Sequence, residues 1–329
     1  MFSFPGLPQL DTKLVLWSLK AVQVATALLS LFGKEVVKEI AHRVQAVLEF
    51  TASDGAKGSG GRGGLPTLLT HRAYRDAPEP VRRYLQYALR EGQPQLKCVC
   101  LKQSGYFRFL PGAGAGGSAA AGGEQGGAKA WKRLTGEAWV SVTRPGLVWS
   151  ATIQLSPFTW VRGFAGYLRG RGSTHWKLCS LFRVDDIEGE RSLDTVALLR
   201  FLAEAPCYPT ALLPSDYLRW DPVDHSTARA TITDAGLRAS AVFRFNALGQ
   251  IVGMRTTDSA RSVSGGQLSR DPMCFYYRNY QRMGGAHRLR IPTEVEAAWE
   301  LPSGEYSYAQ LEIQDLVCWD TMEMAPHQD

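Results

Sequence analysis

Glu204 is a carboxylate in an unfavourable place for a helix. It ends the apolar run that begins at Arg191, just before Pro206 and Pro209, where the carbonyls of a helix C-terminus repel negative charge. Arg200 stands one turn earlier on the same face, so the two either pair with each other or reach groups on a neighbouring sheet. The structural reading of Glu204 is a salt bridge, or backbone hydrogen bonds in the turn Ala205 to Thr210. The functional reading is a polar group in a ligand pocket or a general acid/base, with Arg200 or His175 as polar partner.

Other reactive residue types are less well placed. His175 has no serine or cysteine partner in a nucleophile context, which argues against a hydrolase triad. Asp185, Asp186 and Glu188 read as a solvated acidic turn, because no calcium loop of the expected form is present. The cysteines Cys98, Cys100, Cys179, Cys207, Cys274 and Cys318 include no CxxC pair and no Cys/His cluster at zinc spacing, so neither a metal nor a cofactor is expected. Cys98 and Cys100 fall on one face of one strand and read as free buried thiols. Arg169-Gly-Arg-Gly-Ser-Thr-His175 lacks the strand-loop-helix setting of a phosphate loop and reads as a hairpin loop, with anion binding as a weaker option.

Trp131, Trp139, Trp149, Trp160, Trp176, Trp220, Trp299 and Trp319 are spread over strand-like segments. They are either core and rim packing or, on a curved sheet, the lining of an apolar pocket. The pocket reading selects Trp139, Trp149, Trp160, Trp176, Phe201, Glu204, Phe243 and Tyr276 as ligand contacts. The basic and aromatic run from Phe275 to Arg290 has the composition of a single-strand nucleic-acid face, but alternation within a strand explains it better. The net charge of +6, from 37 basic and 31 acidic residues, is a mild excess that predicts no nucleic-acid partner.

These residues need a scaffold, and periodicity supplies one. Ser192 to Ala205 predicts a helix with Ser192 as N-cap, Asp194 in the first turn and a proline stop; its apolar residues cover most of its circumference. A shorter helix is predicted from Glu79 to Arg90. Gln95 to Leu101 and Tyr106 to Leu110 read as two strands around a Gln-Ser-Gly turn, followed by a low-complexity loop over 111–128. From Trp131 onward the pattern is a meander, clearest in the hairpin Ala241-Val-Phe-Arg-Phe-Asn246 with its return Ile251-Val-Gly-Met-Arg255. The expected fold is α+β: a large curved antiparallel sheet of about ten strands, a half-open barrel wrapped around the central helix.

Three regions follow: N-terminal helices over 1–50, a Gly-rich linker over 51–64, and a single sheet domain over 65–329. Leu14 to Phe32 is long and apolar enough to consider as a membrane span, yet Lys20, Gln23, Thr26, Ser30 and Lys34 form a polar stripe. That stripe favours an amphipathic helix on a membrane surface, on a partner or on the protein's own body, so localisation stays open between membrane-associated and soluble.

The ordered fragments Pro80-Val-Arg-Arg-Tyr-Leu85, Gln103-Ser-Gly-Tyr-Phe-Arg108, Pro145-Gly-Leu-Val-Trp149, Arg200-Phe-Leu-Ala-Glu204, Pro209-Thr-Ala-Leu-Leu-Pro214, Trp220 and Gly284-Gly285 before Ile291-Pro292 carry a likeness. Together they resemble an uncharacterised, mainly bacterial family. The resemblance implies a fold of the lipoprotein-carrier (LolA/LolB) type, a half-barrel with helices over its concave side, and often a membrane segment at the N-terminus; it implies no catalytic residues. The functional expectation is a binding or carrier module for an apolar, lipid-like ligand, docked to a membrane surface or partner through residues 14–50. The alternatives are an enzyme using Glu204 on a small or lipidic substrate, and a scaffold domain.

Overall fold

The computed structural model describes residues 33–53, 68–109, 130–259, 261–262 and 268–321. The apolar stretch 14–32, the insert 111–128 and most of the linker lie outside those residues; helix α1 (residues 33–53) runs into the linker's first three positions.

Two meanders make the sheet. The strands β1 (Cys98–Phe107), β2 (Lys132–Ser141), β3 (Gly146–Ser156), β4 (Thr159–Leu168), β5 (Arg171–Leu178) and β6 (Phe182–Glu188) pair in sequence. After the helix come β7 (Leu218–Pro222), β8 (Thr227–Asp234), β9 (Leu237–Phe245) and β10 (Ile251–Thr256). A small ribbon of β11 (Arg261–Ser262) and β12 (Leu268–Ser269) leads to β13 (Met273–Met283), β14 (Leu289–Leu301) and β15 (Gly304–Trp319). Antiparallel pairing of β15 with β1 fuses both halves into one open sheet of 13 strands, with β6 and β7 at its edges.

The helix α3 (Arg191–Glu204) is the connection between those edges. Residues 205–217 complete that connection, and its short turns Ala205–Cys207 and Pro209–Leu212 are buried in the same inner core as α3. The sheet curls around the helix, and the two halves touch: the Tyr167 hydroxyl on β4 donates to Asp234 on β8 at 2.6 Å. Leu198, Leu199, Phe201, Leu202 and Ala203 are all buried, as suits a helix apolar on nearly every side. Strand alternation sends Leu134, Ala138, Leu147, Trp149, Ala151, Phe243, Phe275, Tyr277, Ala297 and Trp299 to this inner core. Helix α2 (Glu79–Ala88) packs beside it, its Tyr84 hydroxyl donating to the Pro206 carbonyl at 3.3 Å.

The outer face is covered in part by α1. Val44 and Val47 pack on Cys98, Cys100, Trp139, Val148, Phe164 and Trp319, so this stretch of the amphipathic N-terminal region uses its apolar side on the protein's own body. Arg43 lies over the Phe164 ring and reaches Glu188 on β6 at 3.2 Å. No helix among the described residues is long and apolar enough to cross a membrane.

Three local readings change. The Gln-Ser-Gly segment is the inside of β1, with a register shift between Lys102 and Gln103 in place of a turn. Gly105 is there for close approach, since a Cβ would stand 2.0 Å from the Gln310 carbonyl oxygen. Asp185, Asp186 and Glu188 belong to the edge strand β6. Glu190, not Ser192, is the N-cap of α3, and the first-turn Asp194 accepts the Gly172 N–H of β5 at 2.6 Å, fixing helix to sheet.

Candidate functional site

Val196, Arg200 and Glu204 recur every fourth residue and form one stripe of α3. That stripe faces a cavity of about 140 Å³ between the helix and the middle strands. Its cause is local. Ala297 and Ala309 are direct cross-strand partners on β14 and β15, and Ala297 is also opposite Phe275 on β13. Two methyl side chains side by side leave a hollow that Phe275, Trp299, Met273, Leu134, Trp149, Phe107, Tyr308 and Leu311 surround.

One polar pair interrupts this apolar wall. Arg200 Nε donates to Glu204 Oε1 at 2.6 Å, and the guanidinium lies 4.3 Å from the Trp149 ring centre. Trp149 is held in turn by its Nε1–H, which donates to Gln103 Oε1 at 2.8 Å, and by Trp176 at 5.7 Å. The arginine is thus set by two partners. Glu204 is different: its side chain is 7% exposed, and Oε2 is buried with no hydrogen-bond partner. A buried acceptor left unpaired costs on the order of 1–3 kcal/mol, so this oxygen is an open position for a donor. Nearby acids are held protonated. Burial pushes the Tyr308 hydroxyl up to about 12, and burial also raises Tyr208 and Tyr277 well above the usual phenol range.

Of the residues singled out from the sequence, Trp149, Arg200 and Glu204 meet at this cavity. Trp176 supports Trp149 from behind. Phe201 is buried among Tyr208 and Tyr217, and Phe243 packs edge-on against Trp220, so both belong to the solid core. Trp139 is on the outer face, stacked on Trp319 beneath α1, and Trp160 shares the strand parity of outer-facing Phe164. Tyr276 also faces outward, its hydroxyl bonded to Glu305. His175 stacks on Phe164 and sits 3.3 Å from Asp186, on the opposite side of the sheet from Glu204. Of the two polar partners considered for Glu204, Arg200 is in contact with it and His175 is not. Trp299, weighed among the tryptophans but not selected, is in the wall, and Phe107, Leu134, Met273, Phe275, Ala297, Tyr308, Ala309 and Leu311 were missed; only the pairing of β2, β1, β15, β14 and β13 brings them together.

No group of three or more His, Cys, Asp or Glu side chains able to hold a metal gathers among the described residues. A search of curated proteins finds no match to the chain. A family-level comparison matches residues 75–317, which include every residue lining the cavity, and on that match the chain belongs to a family of unknown function, DUF6920.

Proposed function

We propose that this protein is a non-enzymatic binding module for a small amphipathic ligand, with the apolar part in the cavity beneath α3 and a hydrogen-bond donor directed to Glu204. The unpaired Oε2 in an otherwise apolar wall is the observation that carries this reading. Size narrows the ligand class. Pockets for whole drug-sized molecules run to roughly 300–1,000 Å³, whereas a dry cavity of about 150 Å³ accepts benzene. At about 140 Å³ the site suits a ring or the end of an acyl chain rather than a complete lipid. The likeness to lipoprotein carriers belongs to this reading and is supported by the curled open sheet with a helix in its concavity. The acid/base alternative retains Arg200 as its one partner, because His175 and Glu204 occupy opposite faces.

Phenol and toluene differ by one hydroxyl donor and are of a size for this cavity. Titrated into the full chain and followed by tryptophan fluorescence and native mass spectrometry, phenol should bind at least about tenfold more tightly than toluene. Ala297→Leu, which fills the hollow, should abolish both. No saturable binding of either probe, or unchanged binding in Ala297→Leu, would overturn the proposal.

A further inference from the structure

Several arginines of this protein are neutralised locally. Arg43, Arg83, Arg183, Arg200, Arg255 and Arg278 each sit within 3.2 Å of a carboxylate oxygen. Another group is gathered without acids. Arg90, Arg282, Arg288 and Arg290 surround a concavity of about 350 Å³ between the C-terminal turn of α2 and the β13–β14 hairpin, and no carboxylate lines it. Arg290 is held by the α2 end, its guanidinium 4.9 Å from the Tyr87 ring centre and its Nη1 donating to the Tyr87 carbonyl at 3.5 Å. Arg90, Arg282 and Arg288 form no ion pair with any described carboxylate. Glu91, the acid next to Arg90 in the chain, stands 3.7 Å from His71 instead.

The register makes the arrangement unfavourable on its own. Arg282 and Arg290 are direct cross-strand partners in the β13–β14 pair, and like charges in that position destabilise a sheet. The carbonyls at the end of α2 favour one cation, and the Arg290 contact already meets them. Four arginines lining one concavity with no acid among them suit an anion.

We propose that this pocket binds a phosphate monoester. Guanidinium forks match the tetrahedral, doubly charged phosphate with paired N–H donors, and a dianion removes the repulsion between Arg282 and Arg290. The volume exceeds that of a bare phosphate, and Gln86 and Tyr87 in the wall provide polar contacts for the group that carries it. The site shares no lining residue with the cavity beneath α3 and does not depend on that cavity's ligand.

The same headgroup chemistry occurs in a soluble ester and in a lipid, and two probes separate them. Full-length protein is titrated calorimetrically with glycerol 3-phosphate, and is co-sedimented with phosphatidylcholine vesicles with and without phosphatidic acid, beside an Arg282→Gln/Arg288→Gln variant. Saturable binding of glycerol 3-phosphate, weakened at least about tenfold in the variant, is the result expected for a soluble ester. Capture only by phosphatidic acid vesicles, lost in the variant, assigns the phosphate to a lipid headgroup. Without anion the variant should melt about 1–2 °C higher than wild type, since a like-charge pair is gone. Absence of binding to both probes, equal binding by the variant, or a variant that melts lower or fails to fold would overturn the proposal.

Discussion

If the Arg200–Glu204 pair exists for recognition rather than stability, replacing both residues by apolar ones should cost little, while replacing either alone should cost unequal amounts. Arg200→Met leaves Glu204, 7% exposed, with neither oxygen paired, and stranding one partner of a buried ion pair costs about 3–5 kcal/mol. Glu204→Leu is milder. Arg200 keeps its place over Trp149 and a quarter of its side chain stays exposed, and a carboxylate near the C-terminus of α3 is removed, so the expected loss is about 1 kcal/mol. The double variant strands no charge and adds apolar contact to the cavity wall, which places it within roughly 1 kcal/mol of wild type. Urea unfolding of the four proteins measures these values, and Arg200→Met should melt roughly 6–15 °C below wild type for a domain of this size. Equal single losses, or a double variant as unstable as the two losses added, would refute the assignment of Oε2 as an open position in a pair of little net stability.

Three other perturbations test the surroundings of the site. Burial holds the Asp185 carboxyl above its ordinary range, so ionisation costs folding stability above the folded pKa and costs nothing below the unfolded value of about 3.9. Asp185→Asn keeps an oxygen for the Thr174 hydroxyl, now at 2.7 Å, so it should melt above wild type at pH 7, with the difference vanishing as the pH falls towards 3. Val47→Asp places a charge beneath α1 and should speed iodoacetamide labelling of Cys98 and Cys100 at pH 8 by about tenfold or more, leaving the inner-core Cys207 protected; unchanged labelling would mean that α1 is not what shields them. In Gly172→Ala the new methyl would stand 2.7 Å from the Leu193 carbonyl oxygen, pushing α3 off β5 with a loss of about 2–3 kcal/mol in urea unfolding.

Legibility followed sequence distance. The β9–β10 hairpin is written locally: alternation sends Ala241, Phe243 and Phe245 inward, and the Asn246 side chain accepts the Leu248 and Gln250 N–H groups that shape its turn. The start and stop of α3 are local too. Which face a tryptophan takes is not. Trp139 is opposite Val148 and Ala138 is opposite Trp149 in the β2–β3 ladder, so a single step of parity puts one indole under α1 and the other in the cavity. Alternation separates the two faces of a strand, but only the packing of helices says which face is inner. Gly105 misled for a related reason, because the backbone it admits belongs to β15, two hundred residues away in the chain.

The cavity has a thermodynamic signature of its own. Ala297 and Ala309 stand side by side where larger apolar side chains would give α3 more contact, so packing is forgone in this wall. The unpaired Glu204 oxygen costs on the order of 1–3 kcal/mol. Both defects lie in one wall, next to an arginine fixed by Trp149, while Leu198, Leu199, Phe201, Leu202 and Ala203 of the same helix are buried. This wall could close with larger residues at Ala297 or Ala309, and with a neutral residue at 204. Two independent losses at one location, each relieved by a ligand with an apolar body and one donor, are more simply explained by a binding site than by two unrelated faults in packing.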